Sequence, residues 1–384
     1  MDRIYADHNA TTPLHPQVLE AMLPYLREHY GNASSVHVFG REARAAIDDA
    51  RVRIANLLGC QESEIVFTGG GTEADNAAIF GVARARRAKG RHIICSSIEH
   101  HAVLHACQYL EKRGECEVTF LPVNRDCLVD PDDLHKTIRN DTVLVSVMSA
   151  NNETGTIQPI KELATICRER GVPFHTDAVQ SVGKVPVNVE DWGVDLLSIA
   201  AHKFYGPKGV GVLFIRHGTK INPLLVGGSH ENERRAGTEN VAAIAGMAKA
   251  AELATATMAD EQIRLLELTE KLAEGVMKRI GGVHRNGHPK LRICNTVNFS
   301  FEGCEEEGLL LGLDLEGVAV SSGSACAVGS LEPSHVLKAM GLPHELARAA
   351  VRFSFGVSNT AGDVDYILDA VARVVERLRQ FAPA

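Results

Sequence analysis

Between about residue 60 and residue 215 the chain alternates short β-rich runs with helical stretches, and no other feature narrows its fold as far. Seven runs read as strands: Ile65 to Thr68, Arg91 to Cys95, Val118 to Leu121, Thr142 to Val147, Val172 to Thr176, Leu196 to Ile199 and Val210 to Ile215. Between most of them apolar residues fall at helical spacing, as from Glu73 to Lys89 and from Pro159 to Arg170. Such alternation gives an α/β fold, a mainly parallel sheet with helices on both faces. The ligand site of such a sheet lies at the carboxyl ends of its strands.

Downstream the pattern changes. From about Val241 to Ile280 the chain is rich in Ala, Leu and Glu, lacks proline, and is interrupted only by Gly246 and Gly275. It reads as a long helix, broken at most once, that leaves one domain and enters a second. The remainder mixes a strand (Val297 to Phe301), a helix (Glu305 to Leu315), a strand (Val318 to Ser321), a Gly/Ser loop and two helices around one strand. That pattern is a smaller α+β domain, and a length of 384 residues suits two domains.

Composition removes several classes of function. With 40 basic and 48 acidic side chains the formal charge is −8, and no Lys/Arg-rich block occurs, which argues against general nucleic-acid binding. No apolar stretch approaches the ~18–20 residues of a membrane span. The start, Met1 to His8, has neither an apolar signal core nor an Arg-rich amphipathic character, so a soluble cytosolic protein is expected. The nine cysteines are odd in number, irregularly spaced and without Cys-x-x-Cys, which speaks against a disulfide frame or structural zinc. The seventeen histidines look scattered.

Five places carry chemistry. Thr68-Gly69-Gly70-Gly71-Thr72-Glu73 follows a strand and opens a helix, where free N–H groups attract phosphate, although Gly-rich turns with a Thr are common in α/β proteins. Lys203, in Ala200-Ala201-His202-Lys203, comes directly after a strand; a desolvated lysine suits Schiff-base chemistry, and a solvated loop lysine is the plainer alternative. Asp177 ends another strand, where a carboxylate can keep a pyridine nitrogen protonated or simply cap the next segment. Cys326 sits in Ser321-Ser322-Gly323-Ser324-Ala325-Cys326, whose small residues predict an exposed, mobile loop, unlike the usual buried thiol. Arg352 lies inside a β-rich run and needs an anion, either a substrate carboxylate or an internal partner.

Taken together these segments resemble the cysteine desulfurases of the NifS/IscS type, a branch of the class V pyridoxal-phosphate enzymes. The resemblance runs from about Ile4 to the last helix. It is carried by Asp7-His8-Asn9-Ala10-Thr11-Thr12, Asn151 to Gly155, His175 to Gln180, His202-Lys203 and Arg234-Arg235-Ala236-Gly237-Thr238. Ser321 to Cys326, followed by Ser330-Leu331-Glu332-Pro333-Ser334-His335, marks the group with the longer cysteine loop.

That resemblance implies the fold-type I architecture, with residues 14–255 as a large domain on a seven-stranded sheet. Residues 1–13 and 256–384 would form the small domain that supplies Arg352 and Cys326. It implies pyridoxal 5'-phosphate held covalently by Lys203, with Asp177 on the pyridine nitrogen and Gln180 and Asn152 around the ring hydroxyl. His100 would stack on the ring and move protons, while Gly71, Thr72 and His202 would hold the phosphate. Thr238 would reach the phosphate from the other subunit of a homodimer, and Arg352, with Asn152, would bind the substrate L-cysteine. Lys203 would then remove the α-proton and Cys326, as thiolate, would take the sulfur as a persulfide, leaving L-alanine. Acceptors implied are an iron–sulfur scaffold protein or another sulfur carrier, with Cys326 as a transient metal ligand of a nascent cluster.

Three positions depart from the pattern. Ala200 stands where a hydroxyl often meets the phosphate, Ala327 where a Thr often follows the cysteine, and His230 where Gln is frequent. Losing one hydrogen bond to a charged group costs ~1.5–3 kcal/mol, which weakens cofactor binding without abolishing it. The competing readings are a class V aminotransferase, which has no use for Cys326, a selenocysteine lyase, and a non-catalytic sulfur carrier.

Overall fold

The computed structural model describes residues 3–322 and 333–381, so Cys326 and Ala327 lie outside the described residues. A short strand, β1 (Ile4–Tyr5), precedes the main sheet. The main sheet is built from β2 (Ile65–Thr68), β3 (His92–Ser96), β4 (Glu117–Leu121) and β5 (Thr142–Ser146), followed by β6 (Phe174–Asp177), β7 (Leu196–Ala200) and β8 (Gly211–Ile215). Their order is β2-β8-β7-β6-β5-β3-β4. Pairing is parallel throughout except at β8, which runs antiparallel to both β2 and β7. Six of the seven strands are buried along their whole length. A sheet covered by helices on both faces needs that continuous apolar character.

The chain then enters one unbroken helix, Val241–Arg279, of 39 residues. The single break that the sequence allowed does not occur, and the two glycines serve packing instead. A Cβ at Gly246 would lie 2.7 Å from Met22 Cγ, and one at Gly275 would lie 2.5 Å from Leu368 Cδ2. Each glycine lets a neighbour approach the helix closely, at the usual cost of glycine in a helix interior.

Beyond it lie β9 (Val283–Asn286), β10 (Thr296–Phe301), β11 (Val318–Ala319) and β12 (Ala350–Ser354). β12, β10 and β9 form an antiparallel sheet in that order, while β11 pairs with β1 in parallel. The strand expected to reach Ser321 stops at Ala319, and Ser321 makes only an isolated bridge to Arg352. Three helices, His335–Ala339, His344–Ala347 and Ala361–Phe381, flank β12, where two were expected.

Two main apolar regions result. One fills both faces of the seven-stranded sheet and takes in Ala243, Met247 and Ala251 of the long helix. The other lies on the three-stranded sheet and takes in Leu265, Leu272 and Val276 of the same helix. Among the described residues no helix is long and apolar enough to cross a membrane.

Candidate active site

The carboxyl ends of β6 and β7 are adjacent, with Asp177 in register with Ser198, and both strands run the same way. Asp177 closes β6, and Lys203 follows β7 by one turn of 3₁₀-helix, Ala201–Lys203. The two charged residues therefore share one crevice, as the strand-end argument requires. The Lys203 ammonium lowers the Asp177 carboxyl, as does a 2.8 Å hydrogen bond from Val179 N to Asp177 Oδ1, but burial is the larger effect and raises it overall. The capping alternative for Asp177 thus holds as well; one carboxylate oxygen closes the turn.

Behind Asp177 is a second buried carboxyl, Asp75, whose pKa is raised well above the usual range, first by burial and then by Asp177. Two carboxylates this close do not both ionise readily. Asp177 has the backbone donor and the nearby ammonium, so it is the one that keeps the charge. His175, held between Ser146 Oγ at 2.8 Å and Ser198 Oγ at 3.0 Å, is buried neutral, with its pKa pushed down to about 3 by desolvation.

Lys203 Nζ donates to Asn9 O at 2.5 Å and Ala10 O at 2.8 Å. These acceptors belong to the segment Asp7 to Thr12, which crosses from the small sheet to the main one. Asn9 N donates to Ser354 Oγ at 2.9 Å, Asn9 Nδ2 donates to Thr296 Oγ1 at 2.8 Å, and Thr12 N donates to His202 O at 2.9 Å. The sequence singled this segment out but gave it no role; structurally it is the strap that ties Lys203 to β10 and β12.

His100 caps the helix His101–Lys112, its Nδ1 accepting from Ala102 N at 3.1 Å. Burial, then Lys203 and the neighbouring histidines, push its pKa down to about 4, so the ring is neutral near pH 7. With Nδ1 an acceptor, the proton sits on Nε2 and the ring offers a donor there.

Arg352, 1 % exposed in the middle of β12, donates from Nη2 to Asp7 Oδ1 at 2.6 Å and from Nη1 to Asn152 O at 2.9 Å. The internal partner considered from sequence is therefore real. It uses two of five guanidinium donors and leaves others for a ligand.

Lys203, His100, Asn152, Gln180 and Arg352 line one cavity, together with Asn9, Ala10, His101, Glu153 and His335. The structure thus gathers five of the expected residues around a single space. Gly71, Thr72 and His202 lie outside that lining. Gly71 opens the 15-residue helix Gly71–Ala85, whose N-cap, Gly70, has φ 146° and no side chain to satisfy the first N–H groups. A Cβ on Gly70 would meet nothing within 4 Å, and one on Gly71 would come 2.9 Å from Val179 Cγ2 and 3.5 Å from Ala200 Cβ. A bare helix start with open space ahead of it, beside the strand ends, fits an anionic group. His202 Nδ1 lies 3.1 Å from Thr11 Oγ1. Thr238 is exposed and does not line the cavity.

Two features escaped sequence reasoning. His101 stacks on His105 with ring centroids 4.5 Å apart and approaches His335 at 5.0 Å, so histidines that looked scattered form a cluster beside the cavity. Spacing of four on one helix was the available signal for the first pair. Lys184, seven residues after Asp177, is buried against Gln180, and nothing in its local sequence marks it. The eight cysteines within the described residues are unpaired, six of them buried. Burial pushes thiols such as Cys60 and Cys127 up to about 12, in keeping with inert groups.

Strand ends that present a lysine and a buried carboxylate beside a bare helix start suit an anionic ligand. Residues 4–367 match the family model Aminotransferase class-V, and the chain belongs to that family. Its relatives there include the cysteine desulfurase IscS of Dictyoglomus turgidum, 57% identical over 99% of this chain and 96% of the relative. A solved NifS-like protein superposes with a TM-score of 0.92 at 38% identity, covering 98% of this chain and all 100% of that one. SspA in complex with cysteine superposes at 0.81 with 36% identity, over 92% and 98% of the two chains. The resemblance to NifS/IscS-type cysteine desulfurases and the fold-type I architecture read from the sequence therefore hold.

Proposed function

We propose that this protein is a pyridoxal-phosphate-dependent cysteine desulfurase that converts L-cysteine to L-alanine and moves the sulfur to Cys326. The observation that carries the reading is the convergence of Lys203, His100, Asn152, Gln180 and Arg352 on one cavity beside the buried Asp177. When bound, pyridoxal phosphate supplies an electron sink for the charge left as a substrate loses its α-proton.

This chain's residues supply the rest. Lys203 would be the covalent anchor and, with its amine free, would serve as the base for the α-proton. The Asp177 carboxylate would hold the ring nitrogen protonated, while Asp75, buried behind it, would stay neutral. Gly71 and Thr72 would present the helix start to the phosphate, with His202 as a further holder and Thr238 reaching it from a second subunit. Gln180 and Asn152 would hydrogen-bond around the ring hydroxyl, and His100 would stack on the ring and move protons. Arg352 binds the substrate carboxylate with the donors that Asp7 and Asn152 leave over. Cys326, as thiolate, attacks the substrate sulfur; the carbon–sulfur bond breaks, a sulfur–sulfur bond forms, and the carbon takes a proton to give alanine.

The two apolar regions, which divide the long helix between them, support a large domain of residues 14–255 and a small one of 1–13 with 256–384. Substrate binding at their seam then places Arg352 of the small domain against Lys203 of the large one. Homodimerisation is supported by apolar side chains left bare on the single chain, among them Val36 at 89%, Val226 at 86% and Tyr30 at 75% exposure. An iron–sulfur scaffold or another sulfur acceptor completes the cycle by taking the persulfide sulfur, and a nascent cluster ligated by Cys326 belongs to that transfer.

The test is to load the protein with pyridoxal phosphate, add L-cysteine and a reductant, and quantify alanine and sulfide together. Equal amounts over many turnovers are expected. Amino-group exchange to a keto acid with no sulfide overturns the reading in favour of an aminotransferase.

A further inference from the structure

Lys203 is a wall between two cavities. In front is the cavity that holds His100 and Arg352; behind it is a second, lined by His8, Thr12, Lys184, Tyr205 and Glu261 among mostly apolar side chains. Lys184 is 8% exposed and no carboxylate of the described residues pairs with it. Its Nζ donates to Gln180 O at 3.2 Å and lies 3.4 Å from Gln180 Oε1. A buried ammonium without a counter-ion is costly, which calls for a compensating role.

Hydrogen-bond chemistry shows what it does to Gln180. An ammonium only donates, so Gln180 turns its oxygen towards Lys184. Asn9 O only accepts, and Gln180 Nε2 donates to it at 3.0 Å. The amide is thus fixed at both ends, and its second N–H remains for the front cavity that Gln180 also lines. The same Asn9 oxygen accepts from Lys203. Lys184, Gln180, Asn9 and Lys203 form one continuous relay.

Resting on the function proposed above, we propose that Lys184 is a positioning residue: it locks the Gln180 amide and sets a second ammonium behind the Lys203 nitrogen. A like charge at that place disfavours protonation of the Lys203 nitrogen and favours the form that accepts a proton. The charged and titratable groups around Lys184 are Lys203, Arg352, Cys294, His8 and His202, with Tyr205 and Glu261 across the rear cavity. Burial, then Lys203, brings Lys184 itself down to about 7, so its charge is present below that pH and fades above it.

The experiment compares the wild-type holoenzyme with Lys184→Met, which removes charge and donor, and Lys184→Gln, which keeps a donor without charge. Borohydride reduction and peptide mapping first locate the cofactor; then its visible absorbance is titrated with pH, without substrate. Expected are cofactor on Lys203 in all three proteins and a titration midpoint raised by about half a unit or more in both variants. In Lys184→Met kcat falls with little change in the KM for cysteine. Wild-type midpoints in both variants, with cofactor on Lys203, overturn this inference and leave the proposed function standing. Cofactor trapped on another residue overturns both.

Discussion

Arg352 and Asp7, 345 positions apart in sequence, meet at 2.6 Å on the floor of the candidate site. Arg352 comes from β12 and Asp7 from the strap that carries the Lys203 acceptors. One ion pair therefore couples the residue proposed to bind the substrate carboxylate to the segment that holds Lys203, the proposed catalytic lysine.

Arg352→Lys keeps the charge but loses the fork. Losing one charge-assisted bond, worth ~1.5–3 kcal/mol, raises KM for cysteine roughly ten- to hundredfold. Steady-state kinetics on the loaded enzyme checks this; an unchanged KM removes Arg352 from substrate binding.

Lys203→Ala should abolish both turnover and the yellow colour of the loaded enzyme. Asn9 O and Ala10 O lose their donor, but the strap keeps its bonds to Ser354 and Thr296 and the fold survives. Near wild-type turnover would falsify the assignment.

Cys326→Ala should still bind cofactor and respond spectroscopically to cysteine, yet release no sulfide. Normal desulfuration by this variant shows that another thiol is the nucleophile, although six of the eight described cysteines are buried.

Glu99 gives a pH prediction for stability. Its Oε1 accepts from Ser96 Oγ and from Met148 N at 2.8 Å, its Oε2 has no partner, and burial pushes its pKa to about 8 from 4.5. The folded state then binds more protons than the unfolded state across that window. The stabilising contribution is full below pH 4.5 and is lost as pH rises through 8. Glu99→Gln should flatten the fall in stability between those values, measured by urea melts at several pH values. A fall as steep as wild type counts against it.

Glu231 holds a strained turn. Glu231, Asn232 and Glu233 have φ of 49°, 54° and 64°, a left-handed run unusual for residues other than glycine. Arg51 grips the Glu231 carboxylate at 2.7 Å and 3.0 Å, and Phe67 N donates to it at 3.0 Å. Glu231→Ala leaves the mostly buried Arg51 guanidinium with only the Ile65 carbonyl and no counter-ion, and the Phe67 N–H unpaired, at a cost of about 3 kcal/mol in urea unfolding. The turn leads into Arg234 to Thr238, so cofactor retention should weaken too. Unaltered stability places the strain elsewhere.

Much of this was written in the chain. Seven strand runs stood out because both faces of a covered parallel sheet must be apolar, and their positions agree with β2 to β8 within one or two residues. Lys203 and Asp177 were legible because strand ends of one sheet share a crevice. The antiparallel β8 was not, since pairing direction leaves no mark on a fully buried strand. Gly246 and Gly275 read as possible breaks because sequence shows a missing side chain but not the Met22 and Leu368 that fill its place.

The sequence by itself determined the α/β architecture, the family, and which residue types are available for chemistry; these follow from local periodicity and contiguous motifs. Only the tertiary structure decided which partners those residues have. It set Asp7 on Arg352, the Asn9 carbonyl between Lys203 and Gln180, and Lys184 behind them. Those contacts join distant segments, and the burial that shifts a pKa or orients an amide exists only once the segments are packed together.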